Sequence, residues 1–258
     1  MRLHRFYVII HQKVGGIMNL QEIKNKLLSD YKYRIELHAH TSPVSICSEV
    51  SPKEMVEIYK GQCFDAVVIT NHFKYLADGA DKEKYINDYV AAFAEAQKIG
   101  EEAGLKVYLG AEIRFTENSN EYLIFGVTKD MLSEIYDFLP NGIENFRKNY
   151  SMPESLFIQA HPMRNGMQSV DPSLLDGVEV FNMHPNHNSR VGLVSKYAKE
   201  NGFTIITSGS DFHHKNQKHE GVSAMRCAAL PKDSFELAKI LKSGDYLLEV
   251  GGNNIILS

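Results

Sequence analysis

The chain has 258 residues, 43% of them hydrophobic, and a formal net charge of -4. A chain of this length can form one large α/β domain or two small ones, and its charge offers no broad attraction to nucleic acid or to an anionic membrane. Three cysteines are too few for a disulfide framework and favour a reducing compartment, so we expect a cytoplasmic protein. No apolar run has the length of a membrane span, and the first residues lack the small-residue cleavage site of a signal peptide.

Residues 1–17 differ in character from the rest of the chain, and we interpret them as a doubtful leader. The run from Lys13 to Gly16 stands just before Met18 and could be a translated ribosome-binding site. We therefore expect Met18 to be the native start and residues 18–258 to form the functional domain. N-terminal mass spectrometry of the protein from its own host would test this hypothesis.

Short apolar runs rich in β-forming residues alternate with helical patterns along the chain. The runs predict seven strands, at residues 34–37, 66–70, 107–109, 122–127, 156–159, 178–181 and 204–207. A capping box between Ser51 and Glu54 begins one helix, and amphipathic patterns predict others at residues 82–103, 129–138 and 187–201. A strand-like run at 222–228, a helix after Pro231 and a tail from Tyr246 close the chain.

This alternation indicates the fold class. Strands separated by helices predict parallel pairing, and continuous apolar strands predict burial on both faces of the sheet. A barrel or a doubly wound sheet is therefore expected. No linker or repeat divides the chain, so we predict a single α/β domain.

Unusual polar residues stand at the ends of most predicted strands. They are His38 and His40 at the first strand, His72 at the second, Glu112 at the third, His161 at the fifth, and Asp211 and His213 at the seventh. In a parallel barrel the carboxyl ends of all strands gather on one face, so these side chains are expected to converge. Imidazole nitrogen mixed with carboxylate oxygen suits zinc, manganese or iron. The pattern predicts a site for divalent metal ions.

Further candidates follow the sixth strand, and each has a structural alternative. Glu179 lies within that strand and could either serve the site or form a salt bridge to a neighbouring lysine or arginine. His184 and His187 come just after it, and these two residues, like His219, could also be ordinary exposed histidines of polar loops. Arg164 and Arg190 could bind a phosphate group or be ordinary surface arginines.

The order of these motifs resembles the PHP family, named for polymerase and histidinol phosphatase. The matching stretches are Glu36-Leu37-His38-Ala39-His40-Thr41, Ile69-Thr70-Asn71-His72, Gly110-Ala111-Glu112-Ile113, Ala160-His161-Pro162 and Ser208-Gly209-Ser210-Asp211-Phe212-His213. The resemblance implies a distorted seven-stranded β/α barrel, similar to a TIM barrel, with a centre of two or three metal ions and phosphoester hydrolysis. It also implies that His38, His40, Glu112 and Asp211 hold one ion, that Glu112 bridges to a second ion held by His161, and that His72 and His213 bind a third.

The sequence departs from the family pattern at two places. The fourth strand has no histidine shortly before Gly126, so Glu121 could take part in holding the second ion. The loop after His40, where many members supply an aspartate or histidine to the third ion, offers Cys47 and Glu49 instead. Cys47 could be a soft zinc ligand, but we favour a buried structural thiol at this position.

These features lead to a prediction of function. We expect a metal-dependent phosphoesterase that acts on a small phosphate monoester, similar to a histidinol phosphatase or a nucleotide phosphatase, through a water activated by two cations. A water in the metal shell, His184 or His187 could protonate the leaving group, and Arg164 and Arg190 are candidates to bind the phosphate. The expected partner is a small phosphorylated substrate, whereas nucleic acid and membrane are not expected and the oligomeric state is open.

Two other interpretations remain. An amidohydrolase-type barrel also opens with a His-x-His motif and ends with an aspartate, but it predicts a metal-bridging lysine in the middle of the barrel, where this chain has Glu112. A metal-binding module that has lost catalysis predicts missing ligands and an additional domain.

Overall fold

The computed structural model describes residues 18–218, 223–252 and 254–257. The predicted leader, residues 1–17, and His219 lie outside the described residues. The described α-helices are α1 (Leu20–Asp30), α2 (Pro52–Gly61), α3 (Lys82–Ala103), α4 (Lys129–Phe138), α5 (Gly142–Asn149), α6 (Val191–Glu200) and α7 (Ser234–Ser243). The strands are β1 (Tyr33–Ala39), β2 (Ala66–Ile69), β3 (His72–Lys74), β4 (Lys106–Arg114), β5 (Tyr122–Phe125), β6 (Leu156–Gln159), β7 (Gly177–Asn182), β8 (Ile206–Gly209), β9 (Ser223–Cys227), β10 (Leu247–Val250) and β11 (Asn254–Leu257).

Local sequence explains where the helices begin and end. The predicted capping box of α2 is confirmed, because the Ser51 side chain accepts from the Glu54 N–H while Glu54 accepts from the Ser51 N–H. Asp81 caps α3 in a similar way, and Gly104 ends that helix in the left-handed conformation that glycine adopts without strain. The predicted helix 187–201 begins only at Val191, because residues 183–190 form the loop that carries His184 and His187.

The strands form one mixed sheet in the order β11-β10-β9-β1-β2-β4-β5-β6-β7-β8, with β3 pairing to β4 beside this path. The pairs β1/β2, β2/β4, β6/β7 and β7/β8 are parallel. Strand β5 is antiparallel to both of its neighbours, and β9 to β11 form an antiparallel extension next to β1. The two ends of the parallel part approach each other through a single bridge between Ala39 and Phe212.

The prediction of a single mixed α/β domain is confirmed, whereas a closed barrel of seven strands is not. All seven predicted strands exist, but the sheet curls into an open half-barrel with additional strands. The expectation of parallel pairing is wrong for β5. Residues 115–121, between β4 and β5, contain no helix, so the chain turns back directly and pairs antiparallel.

Burial on both faces of the sheet, predicted from the apolar strands, is confirmed. Successive residues of β5 belong to opposite layers: Leu123 packs in the cluster that contains α7, and Ile124 packs in the cluster that contains α3 to α6. With both faces covered, the edge where the parallel strands end is left for the polar residues. Among the described residues no helix combines the length and the apolar character needed to cross a bilayer.

Candidate metal centre

Backbone pairing brings the first and last motifs together. The N–H of His40 donates to the Phe212 carbonyl at 2.9 Å, and the N–H of Phe212 donates to the His38 carbonyl at 3.2 Å. The end of β1 therefore lies beside the segment that follows β8. As a result the two histidines at the end of β1 face Asp211, with His38 Nε2 at 3.5 Å and His40 Nε2, just after the strand, at 3.4 Å from Asp211 Oδ1.

Glu112, on β4, lies in the middle of the cluster. Its Oε1 is 3.1 Å from His38 Nε2 and 3.1 Å from His161 Nε2, and its Oε2 is 3.4 Å from His40 Nε2 and 2.7 Å from His72 Nδ1. One carboxylate thus faces four imidazoles. All seven side chains that the sequence singled out as ligands meet in this cluster, because His213 also approaches His40, with their ring centroids 4.2 Å apart.

Glu121 joins the cluster next to Glu112. Its carboxylate oxygens lie 3.6 Å from His72 Nδ1 and 3.5 Å from His161 Nε2. Burial, reinforced by the charge of Glu112, raises the pKa of the Glu121 carboxyl. Glu121 is therefore a further candidate ligand beside Glu112 and His161.

Two of the candidate ligands have strained backbones. His161 has φ of +30° and Asp211 has φ of +50°, in a region that residues other than glycine seldom adopt. Such strain persists where the surroundings fix it, and it is concentrated at functional sites. Here the N–H of His161 is held by Glu179 Oε2 at 3.0 Å.

Buried residues around the cluster orient the ligands. Glu179 Oε1 lies 2.9 Å from His38 Nδ1, so it fixes which ring nitrogen of His38 faces Glu112. Its other oxygen accepts from Asn182 Nδ2 at 2.9 Å. Of the two alternatives for Glu179, the salt bridge to a lysine or arginine is wrong, since its ionic partner is His38.

We expect Glu179→Gln to weaken metal binding by about 10- to 100-fold, the usual effect of losing a carboxylate behind a ligating histidine. Isothermal titration of the metal-free protein with zinc measures this. Glu101→Gln, on the exposed side of α3, is the matched control and should bind as the parent does. Equal affinity of Glu179→Gln and the parent would refute the orienting role.

Sequence reasoning missed Glu36 and Ser45 as supporting residues. Glu36 Oε1 accepts from the N–H groups of His38 and Ser210, each at 2.9 Å, and burial raises the pKa of its carboxyl to about 7. Ser45 Oγ lies 3.2 Å from His40 Nδ1 and accepts from the His72 N–H at 3.0 Å. A carboxylate between the apolar residues Ile35 and Leu37 of β1 was the available signal for Glu36, whereas nothing in the sequence marks Ser45.

Gly209 allows the end of β8 to pack closely against the side chains of Glu179 and His38. A Cβ on Gly209 would overlap Glu179 and the Cβ of His38. We expect Gly209→Ala to destabilise the fold by about 1–3 kcal/mol, as overpacking does, and to displace His38. Urea unfolding and zinc titration measure the two effects. Gly192→Ala, where a Cβ meets nothing within 4 Å, is the control and should leave both unchanged or slightly improved.

The electrostatics of the cluster are those of a cation site. Burial acts to raise the pKa of Glu112, but His38 and His72 outweigh it and hold that pKa well below its usual range. Asp211 shows the same balance, with burial opposed chiefly by His38. Burial acts to lower the pKa of His38, but the neighbouring carboxylates raise it well above its usual value. For His40, burial and the neighbouring imidazoles lower the pKa. The carboxylates of Glu112 and Asp211 therefore stay ionised inside the protein.

The donor set fits divalent metal ions. Glu112 Oε2 is a buried atom without a hydrogen-bond partner of good geometry among the described residues. His38 Nε2 and His40 Nε2 lie 3.1 Å apart. They can form a hydrogen bond only if one of the two nitrogens carries a hydrogen atom and the other does not. A cation among these nitrogens and carboxylate oxygens would satisfy them together. The groups of ligand atoms that lie within 4.8 Å of one another are His38/His40/Asp211, His38/Glu112/His161, His72/Glu112/Glu121 and His40/His72/His213.

The two arginines predicted to bind phosphate both donate hydrogen bonds to other residues of the protein. Arg164 Nη2 lies 2.5 Å from Asp211 Oδ2 and 2.8 Å from Asn182 Oδ1, so its guanidinium is directed into the centre. Arg190 is exposed, and it donates to the Met163 carbonyl at 3.2 Å and to Asn165 Oδ1 at 2.5 Å. Arg164 is therefore the arginine next to the cluster, and Arg190 lies at its rim.

The two predicted proton donors lie together near His213. The rings of His184 and His187 are 4.4 Å apart, and His184 is 5.6 Å from His213. His184 is buried, and burial lowers its pKa to about 4. His187 is exposed, but partial burial and the charge of Arg164 lower its pKa too. An imidazole with a pKa of about 4 is neutral near pH 7, so His184 is unsuited to donate a proton there.

Cys47 is not the buried structural thiol that we favoured. It is exposed. Burial of part of the side chain acts to raise its pKa, but hydrogen-bonding interactions with His213 and His72 outweigh this and lower it to about 6. Glu49 does not face the cluster, since its Oε1 accepts from the N–H of Lys215.

Comparisons with known proteins agree with this geometry. The family profile of the PHP domain matches residues 36–250. A two-domain protein from Bacteroides vulgatus containing a predicted PHP-like metal-dependent phosphoesterase aligns at 14% identity and a TM-score of 0.59, over 85% of this chain and 65% of its own length. This chain therefore spans slightly less than two thirds of that protein.

PsfC from Pseudomonas syringae aligns at 15% identity and a TM-score of 0.59, over 88% of this chain and 91% of its own. An amidohydrolase from Chromobacterium violaceum aligns at 14% identity and a TM-score of 0.42, over 71% of this chain and 89% of its own, which is too weak a likeness to carry an argument. No curated protein matches the sequence. The likeness to solved structures shows the fold, and the profile match covers most of the chain and contains every motif of the cluster, so the chain belongs to the PHP domain family.

Proposed function

We propose that this protein is a metal-dependent phosphoesterase that hydrolyses a small phosphate monoester. The observation that carries the proposal is the meeting of Glu112 and Asp211, both buried and held ionised, with the imidazoles of His38, His40 and His161 at one edge of the sheet. Such a set is costly to bury without cations, so it is expected only where cations are held. Substrates similar to histidinol phosphate or to a nucleotide are our first candidates.

The chain offers ligands for two or three divalent ions, with zinc, manganese and iron as the candidates. His38, His40 and Asp211 would hold one ion together with Glu112. Glu112 would extend to a second, which His161 and Glu121 would also hold. A third would lie by His72 and His213, where the ring of His40 is also close. Bound divalent ions would lower the pKa of a water molecule and neutralise charge on the phosphoryl oxygens.

The protein's own groups would prepare the reaction. Glu179 and Ser45 hold the rings of His38 and His40 in place, so no reorganisation is needed when the substrate arrives. Arg164 is directed at Asp211 and can also present a guanidinium edge to a phosphate that enters beside it. Of the two loop histidines, His187 is the more accessible candidate for the leaving-group acid, because its side chain is exposed whereas His184 is buried.

The amidohydrolase interpretation requires a lysine in the centre. No lysine is among the buried polar residues of the described chain, and Glu112 occupies the middle of the cluster. The interpretation as a module without catalysis requires missing ligands, whereas all seven residues that the resemblance implies as ligands meet in the cluster.

A direct assay tests the proposed function. The protein is purified without added metal, its ions are counted by inductively coupled plasma mass spectrometry, and hydrolysis of p-nitrophenyl phosphate and p-nitrophenyl acetate is compared with and without manganese or zinc. We expect metal-dependent cleavage of the phosphate that the double variant His38→Ala, Asp211→Ala lacks. Cleavage of the acetate alone would favour the amidohydrolase interpretation, and bound metal with no cleavage of either would favour the silent module.

If the phosphate is cleaved, a panel of phosphorylated metabolites that includes histidinol phosphate and nucleoside monophosphates identifies the substrate class. The comparison uses kcat/KM, since this ratio reports how each substrate is discriminated in the transition state.

A further inference from the structure

Asn182 is the last residue of β7 and stands directly before the loop of residues 183–190. The pairing of β7 with β8 shifts in register between Glu179 and Phe181, which marks a bulge in the strand. In a regular strand, residues 179 and 182 would face opposite sides of the sheet, whereas here Asn182 Nδ2 lies 2.9 Å from Glu179 Oε2. The bulge therefore turns the buried side chain of Asn182 toward the candidate metal centre.

The amide nitrogen of Asn182 faces the carboxylates of this centre. Nδ2 donates to Glu179 Oε2 at 2.9 Å and to Asp211 Oδ2 at 3.3 Å. Burial acts to raise the pKa of both carboxyls, but the charge of His38 opposes it and both pKa values are lowered. Ionised carboxylates only accept hydrogen bonds, so the nitrogen of the amide, and not its oxygen, must face them.

The amide oxygen of Asn182 faces the other way, toward hydrogen-bond donors. It accepts from Arg164 Nη2 at 2.8 Å and from the N–H of His184 at 3.2 Å. The hydroxyl of Ser189 donates to the same oxygen at 3.1 Å. Because His184 stands near the start of the loop 183–190 and Ser189 near its end, one atom holds both ends of this loop.

We propose that Asn182 is a positioning residue that couples the ligands of the metal centre to Arg164 and the loop 183–190, the groups that would meet the substrate. This rests on the proposed function only in assigning phosphate binding to Arg164. Neither of the side chains of similar size makes both sets of bonds, because aspartate would direct an oxygen at two carboxylates and leucine offers no donor or acceptor.

A closed ring of hydrogen bonds provides the coupling to Arg164. Arg164 Nη2 donates to Asn182 Oδ1 and to Asp211 Oδ2, and Asn182 Nδ2 donates to that same oxygen of Asp211. The position of the guanidinium is therefore set jointly by a candidate metal ligand and by the amide. Loss of the amide leaves Arg164 with Asp211 alone and removes the acceptor that both ends of the loop share.

Hydrogen exchange tests the hold on the loop without any ligand. In Asn182→Ala we expect the backbone amides of residues 183–190 to exchange roughly tenfold faster, since each lost hydrogen bond is worth up to about a factor of ten. The amides of α3 should keep the parental rate, and Asn145→Ala, on the exposed side of α5, should match the parent throughout. Unchanged exchange in the loop would overturn the proposal. An equal rise in the loop and in α3 would do so too, because it would indicate general destabilisation.

Binding of inorganic phosphate tests the hold on Arg164. Isothermal titration of the zinc-loaded protein compares Asn182→Ala, Arg164→Ala and the double variant, and the zinc bound per chain is measured on the same samples. Because Asn182 acts through Arg164, we expect each single substitution to weaken phosphate binding roughly tenfold and the double variant to bind no more weakly than Arg164→Ala.

Two results of this titration would contradict the coupling. The first is a double variant whose loss of phosphate affinity is the full product of the two single losses, since the two residues would then act independently. The second is a loss of zinc from Asn182→Ala in proportion to the loss of phosphate affinity, which would assign Asn182 to the metal ligands alone.

The two proposals fail separately. A zinc-loaded parent that neither binds phosphate nor hydrolyses phosphate esters would remove the phosphoesterase, while faster exchange of the loop in Asn182→Ala would still establish Asn182 as the residue that holds it. Hydrolysis by the parent, with loop exchange and phosphate affinity unchanged in Asn182→Ala, would do the reverse.

Discussion

Replacing Glu112 with glutamine is expected to lower kcat/KM for the phosphate substrate roughly a thousandfold, because bound metal supplies several kcal/mol of charge stabilisation and each 1.4 kcal/mol is a factor of ten. No other carboxylate in the described chain faces as many imidazoles: Glu112 lies within 3.4 Å of ring nitrogens of His38, His40, His72 and His161. The amide keeps the size of the side chain but removes its charge. Its NH2 group would also point hydrogen atoms at nitrogens that should face a cation.

The metal content should fall together with the activity, by at least one ion per chain, because Glu112 is the candidate ligand shared between two ions. Mass spectrometry of the metals and kinetic assays on the same preparation measure both. Glu95→Gln, on the exposed side of α3, is the matched control and should retain parental metal content and rate. A Glu112→Gln protein that keeps both would show that the carboxylate does not bridge, whatever its position.

Those parts of the fold were predictable that depend on local sequence, namely the positions of the helices and strands. The capping box at Ser51 and the apolar runs of β1, β2 and β6 fixed their elements within a few residues, because burial and caps are local properties of the sequence. The antiparallel setting of β5 was not predictable in the same way. It depends on how residues 115–121 cross the edge of the sheet, which the strand pattern alone does not specify.

The candidate site was likewise predictable only in part. His38, His40 and Asp211 could be placed together because parallel strands end at one edge and because the pairing of Ala39 with Phe212 closes that edge locally. The surroundings of Cys47 and Arg164 could not be foreseen. Cys47 is exposed because of the path of its loop, and Arg164 is directed into the centre by a turn in which the Arg164 N–H donates to the His161 carbonyl. Loop conformation depends on tertiary contacts that residue types do not reveal.

Removing metal with a chelator is expected to lower the melting temperature by roughly 10–20 °C at saturating metal. An ion present at 100 times its dissociation constant stabilises the native state by about 2.7 kcal/mol, so two ions give about 5 kcal/mol. For a chain of this size each kcal/mol shifts the melting temperature by about 2–4 °C. Differential scanning calorimetry with and without chelator measures the change, and the double variant His38→Ala, Asp211→Ala, which lacks two ligands of one ion, should show a smaller one.

This loss should grow as the pH rises above about 6.5, the unperturbed histidine pKa. In the metal-free protein the pKa values of His38, His72 and His213 are raised above that value by the surrounding side chains, against the effect of burial. A raised histidine pKa gives stability that is complete below the unfolded value and is lost as the pH rises through the folded value. The lowered pKa of Cys47 acts in the opposite direction, but that residue is exposed, so solvent screening reduces its contribution.

With metal bound, the cations balance Glu112 and Asp211 at every pH in this range, so the loaded protein should not share the decline. Below their raised pKa values these imidazoles hold protons that a metal ion must displace, so the difference in melting temperature narrows towards low pH. The expected result is a gap in melting temperature that widens from pH 6.5 to pH 8.5. A gap that stays constant over that range would mean that the protonated histidines do not balance the buried carboxylates, and the charge pattern of the centre would then need a different explanation.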